Sequence, residues 1–74
     1  MNEKNQLLDI LGKLTLEGNL SKDAFFWHLA KELPATFDYK QMISDTDTWK
    51  NECEDMDTIY VEDLESIIEE ISAK

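Results

Sequence analysis

Apolar residues in this chain recur at steps of three and four from one end to the other, the period of helices that each bury one face. The clearest case is "VEDLESIIEEISA". There Val61, Leu64, Ile67, Ile68 and Ile71 form one stripe, and Glu62, Asp63, Glu65, Glu69 and Glu70 occupy the rest of the surface. A helix over 61–72 follows. Near the start, Leu7, Leu11 and Leu14 keep the same spacing beside Leu8 and Ile10, which predicts a helix over 3–17. Gly18 and Asn19 end it, because both residue types tolerate the left-handed conformation that closes a helix.

Ser21 has the short side-chain oxygen of a good N-cap, and Leu20 before it can pack on Phe25 as a hydrophobic staple. This predicts a helix over 22–33, with Phe25, Phe26, Leu29, Ala30 and Leu33 on one broad face. Pro34 closes it, since the residue before a proline is pushed out of the helical region. Trp27 falls on the opposite side, near Ala24 and Lys31, where it either packs against the last helix or stands exposed.

Beyond Pro34 the helical steps continue through Tyr39, Met42, Ile43, Thr46, Trp49, Cys53 and Met56. "SDTDT", residues 44–48, interrupts them with side chains that bond the backbone locally and disfavour helix. Two helices are therefore expected, over 37–44 and 46–56. Ser44 would cap the second, with Asp47 as the acidic member of a capping box and Trp49, Cys53 and Met56 facing the core. "TIYV", residues 58–61, has strand-like composition but no partner of comparable quality, and reads as a short extended connection. The lysines from Lys4 to Lys40 recur every nine residues among unrelated sequences, a spacing read as chance. The expected fold is all-α, a compact bundle of four to five short helices in a single small domain spanning 1–74.

A chain of 74 residues buries only about 60% of its unfolded surface, so its core is small. Cys53 is the single cysteine and cannot form an internal bridge, which excludes the disulfide framework of small secreted domains and makes a cytoplasmic setting the expectation. The start lacks a basic leader ahead of an apolar stretch, and no apolar run approaches the roughly 20 residues that span a bilayer. No membrane association is expected.

The net charge is −10, and it is unevenly placed. Residues 1–36 carry 5 acids and 4 lysines, a sum of −1, whereas residues 37–74 carry 12 acids and 3 lysines, a sum of −9. There is no arginine. Direct binding to nucleic acid draws its affinity from basic side chains that neutralise phosphates, so this composition opposes it. A basic protein surface is the partner such a charge attracts.

The acidic stretch "DTDTWKNECEDMD" invites a calcium loop, and the position-by-position comparison fails. Counted from Asp45, loop positions 1 and 3 hold oxygen ligands, but Trp49, Lys50 and Met56 stand where an oxygen ligand, a glycine and a bidentate glutamate are needed. His28 and Cys53 are the sole imidazole and thiol, too few for a closed zinc site and without an orienting third group for nucleophilic catalysis. Cys53 reads as a small buried apolar residue and His28 as a boundary residue. No cofactor, no metal and no enzymatic activity are expected.

Two features stand out. Glu52, Glu54, Asp55, Asp57, Glu62, Asp63, Glu65, Glu69 and Glu70 form an acidic ridge that no lysine interrupts before Lys74, and like charges at helical spacing repel. Such a ridge is either a solvated face or a docking surface for a basic partner. Trp27 is the second feature, a candidate anchor of the kind found at interface hot spots. The leading expectation is a small binding inhibitor whose carboxylates stand in for phosphates and occlude the basic surface of a nuclease or other nucleic-acid-binding protein. The alternative is an interaction module or homo-oligomer that binds mainly by apolar contacts through Tyr39, Trp27, Tyr60 and Met56. In size, charge and helical character the chain resembles the immunity proteins of nuclease bacteriocins and the small inhibitors that phages carry against host defences.

Overall fold

The computed structural model describes residues 2–74. Helix α1 (Glu3–Leu14) starts at Asn2, whose side chain accepts the Asn5 backbone N–H at 2.8 Å. It ends earlier than the predicted 17. Leu16 and Glu17 donate to the carbonyls of Lys13 and Leu14, three residues back, so the chain tightens into a turn before Gly18, which sits at φ 89°.

Strand β1 (Leu20–Ser21) leads into α2 (Lys22–Glu32), capped as predicted by the Ser21 hydroxyl, which accepts the Ala24 N–H at 3.1 Å. Leu33 is already extended, at φ −103° and ψ 145°, as Pro34 requires. Phe25, Leu29 and Leu33 are buried, Phe26 is half-buried, and Ala30 is exposed, contrary to its expected core position. Ala30 lies about 100° around the helix from Leu29, outside the narrow buried stripe.

Helix α3 (Tyr39–Ser44) begins two residues after the predicted 37, because Phe37 closes a turn onto the Pro34 carbonyl and Asp38 supplies the cap, accepting the Gln41 N–H at 3.1 Å. The next helix is capped by Thr46 and not by the expected Ser44. The Thr46 hydroxyl is buried, donates to the Ile43 carbonyl at 2.7 Å and accepts the Trp49 N–H at 3.3 Å, while the Ser44 hydroxyl donates back to the Lys40 carbonyl. The segment then widens into a π-helix (Trp49–Cys53), in which Glu54 N–H donates to the Trp49 carbonyl at 2.8 Å. It stops short of 56. Trp49 and Cys53 face the core as expected, but Met56 lies beyond the helix and is exposed.

Residues 58–61 also differ from expectation. Thr58–Ile59 form strand β2, antiparallel to β1, with Leu20 opposite Ile59 and Ser21 opposite Thr58. Flanking bonds extend the clasp: Lys22 N–H donates to the Asp57 carbonyl at 2.7 Å, and Val61 N–H to Asn19 Oδ1 at 3.1 Å. Helix α4 (Val61–Ser72) matches its predicted bounds.

The fold is all-α: the described residues are 66% helical, with 5 helices in one small domain and a single two-residue strand pair. Helices α1 and α4 pack together, and Leu7, Leu11, Phe25, Leu29, Ile43 and Ile67 are wholly excluded from solvent. Trp49 stacks on Phe25 at 6.2 Å between centroids and meets Phe26 edge-on at 5.6 Å, which joins the π-helix to α2. The Cα radius of gyration is 11.1 Å, against about 11 Å for a folded domain of this length. Among the described residues no helix is long and apolar enough to cross a membrane.

Candidate functional site

The π-helix and α4 pack against each other, and their outer surfaces form two adjoining shallow depressions. The larger, about 510 Å³, lies among Asp47, Thr48, Glu52, Ser66, Glu69 and Glu70. The smaller, about 270 Å³, lies among Glu52, Glu54, Asp55, Met56, Tyr60 and Asp63. Asn51 and Glu52 border both, so the two make one continuous acidic surface.

Six of the nine ridge residues, Glu52, Glu54, Asp55, Asp63, Glu69 and Glu70, therefore converge. Asp57, Glu62 and Glu65 are exposed but line neither depression. Glu65 is turned about 160° around α4 from Asp63, since each helical residue advances by about 100°. Asp63 and Glu70, on the flank that meets the π-helix, are half-buried.

Glu70 has work inside the molecule. Its carboxylate accepts the Thr48 hydroxyl at 2.5 Å and the backbone N–H groups of Asp47 and Thr48 at 2.7 and 3.1 Å. These N–H groups open the helical segment after Thr46, so a side chain from α4 completes the helix end that Thr46 caps only in part. The Thr48 hydroxyl bond, followed by the two backbone bonds, holds the Glu70 carboxyl below the ordinary carboxylate range against an opposing effect of burial. Nothing adjacent in sequence signals this pairing.

The remaining acids have little internal compensation. Among the described residues the only side-chain ion pair is Asp9–Lys13, at 3.2 Å on α1. Lysines Lys22, Lys31 and Lys40 instead hold their ammonium groups over the rings of Trp49, Trp27 and Phe26 at 5.1, 4.4 and 5.5 Å. Lys22 also donates to the Glu54 backbone carbonyl at 2.8 Å, not to its carboxylate.

Trp27 is 61% exposed, which decides between the two placements open to it: it stands out from α2, flanked by Lys31 and edge-on to His28. Of the apolar candidates, Tyr39 is buried in the core, whereas Met56 and Tyr60 are exposed within the smaller depression. Helical spacing alone puts Met56 on the core side, and the early end of the π-helix carries it into solvent. Cys53 lies wholly buried beneath this surface, and its thiol is pushed up to about 11 by burial first, then by the nearby charge of Asp63, with Lys22 opposing. Among the described residues no group of three or more His, Cys, Asp or Glu is placed to hold a metal ion. No protein family, curated protein or solved structure matches this chain.

Proposed function

We propose that this is a small cytoplasmic binding protein, not an enzyme, whose π-helix and α4 surface occludes the basic face of a nuclease or other nucleic-acid-binding protein. The observation that carries the reading is the convergence of Glu52, Glu54, Asp55, Asp63 and Glu69 on one surface without a cationic side chain paired to any of them among the described residues. An excess of one charge on a folded surface costs stability through self-repulsion, and a basic partner relieves that cost on binding. Carboxylates presented on a rigid helix pair stand where phosphates would otherwise meet the partner's lysines and arginines. Association by this route is fast and strongly salt-dependent.

The test is capture from nuclease-treated bacterial lysate on the immobilised protein, eluted by a salt gradient and identified by mass spectrometry. A nucleic-acid-binding protein released by salt supports the reading, provided that Glu52→Lys, Asp55→Lys and Glu69→Lys together abolish capture. Glu70 is left in place because its carboxylate holds the fold. Retention that survives salt and charge reversal rejects it.

The exposure of Trp27 favours a second reading, an apolar interaction module or a homo-oligomer. In that case Trp27→Ala abolishes partner binding while the charge reversals leave it intact.

A further inference from the structure

Two large apolar side chains that the fold leaves in solvent, Met56 at 44% and Tyr60 at 40% exposure, open into the same depression as Glu52, Glu54, Asp55 and Asp63. Tyr60 occupies the N-cap position of α4 without a side-chain capping bond, and Met56 lies outside the core. Lys50 borders the depression but pairs with none of its carboxylates. The outcome is a depression that sets apolar surface beside carboxylates held in no ion pair among the described residues.

That combination selects among cations. A lysine ammonium is a compact, strongly hydrated charge that the carboxylates alone would satisfy. Arginine has a planar, weakly hydrated head that bonds carboxylates bidentately and stacks on aromatic rings, on a methylene stem that buries against apolar surface. At about 270 Å³ the depression suits one long side chain and not a helix.

We infer that the depression between the π-helix and the start of α4 receives an arginine of the partner protein, its guanidinium against the carboxylates that line it and its stem along Met56 and Tyr60. The inference rests on the proposed docking of a basic protein surface and assigns that docking an anchor. Aromatic and arginine contacts in such small pockets dominate interface energetics, while the surrounding acids of α4 steer the approach.

The test uses the full chain and two peptides of equal length and charge, six arginines or six lysines, titrated calorimetrically at fixed ionic strength. The arginine peptide binds more tightly, and Tyr60→Leu reduces that preference by about two- to fivefold while leaving the lysine peptide unchanged. Met56→Ala reduces it in the same sense, which keeps the test decisive should one variant perturb the fold. Backbone amide shifts on titration with the arginine peptide centre on residues 50–63. An arginine preference that is absent, or untouched by either variant, overturns the inference, as does a set of shifts centred on 65–73. If lysate capture yields a salt-released basic protein while the peptides give that overturning result, the docking surface stands and the arginine anchor falls. If the peptides behave as expected and capture yields none, the anchor stands and the inhibitor reading falls.

Discussion

The Thr48 hydroxyl donates to Glu70 Oε2 at 2.5 Å, and through this bond the start of one helical segment is fastened to the last helix of the chain. Local sequence supplies half of the cap in Thr46, and the rest arrives from 22 residues away.

Glu70→Ala removes the acceptor of three hydrogen bonds and is expected to lower stability by about 1–2 kcal/mol, read from the urea midpoint at neutral pH. Glu70→Gln keeps one carbonyl oxygen and loses less. The folded-state pKa of Glu70 is depressed, so its contribution is present above the unfolded carboxyl pKa of about 4.3 and is lost as pH falls through the folded value. The stability difference between wild type and Glu70→Gln should therefore be level above about pH 5.5 and shrink only below about pH 4. A difference that already shrinks between pH 7 and 6 would assign the effect to another group.

Cys53 is wholly buried, with its thiol pushed up to about 11, so a disulfide reagent at pH 8 should label it only through unfolding. Its labelling rate should follow the unfolded population as urea is raised. Because the folded pKa is raised, the stabilising preference for the neutral thiol is complete below the ordinary value of 9.0 and is lost as pH rises toward 11. Rapid labelling in the absence of urea would contradict the placement.

The two tryptophans should separate cleanly. Trp27→Ala should change stability by no more than about 0.5 kcal/mol, as at other exposed positions. Trp49→Ala, in the stack with Phe25 and Phe26, should cost about 3–5 kcal/mol. Iodide should quench the Trp27 emission and spare that of Trp49, which single-tryptophan variants would show directly.

A pair of glycines gives opposite signs for the same substitution. Gly12 lies inside α1 with nothing within 4 Å of an added Cβ, so Gly12→Ala should stabilise by about 0.5–1 kcal/mol. Gly18 has equal space but a φ of 89°, so Gly18→Ala should destabilise by about 1 kcal/mol. Thermal melts of the two variants decide the matter.

Helix α4 was legible in full because its stripe and its acids alternate at one unbroken period, and α2 because Ser21 and Pro34 bracket it chemically. The β1–β2 clasp was not. Two residues on each side leave no alternation to read, and the partners lie in distant parts of the chain. The π-turn escaped for a different reason. Trp49 and Cys53 are spaced for an α-helix and stay buried either way, so only Met56, carried out into solvent, records the change. At the candidate site, residue type identified the acids, but which of them converge depended on the angle at which the π-helix meets α4. Glu70 could not be distinguished from its neighbours, since its donors are backbone groups far away in sequence.

The packing of α1 against α4 also fixes the order in which the molecule can come into being. During synthesis Leu7, Leu11 and Leu14 emerge about 50 residues before the helix bearing Leu64, Ile67 and Ile71. The part of the α1 face that meets α4 therefore waits uncovered until residues 61–72 have emerged. Contacts between distant segments form slowly compared with those between neighbours, and exposed apolar surface invites association meanwhile. A nascent chain stalled before Val61 would present the ribosome's surroundings with a sticky helix and an unfinished core.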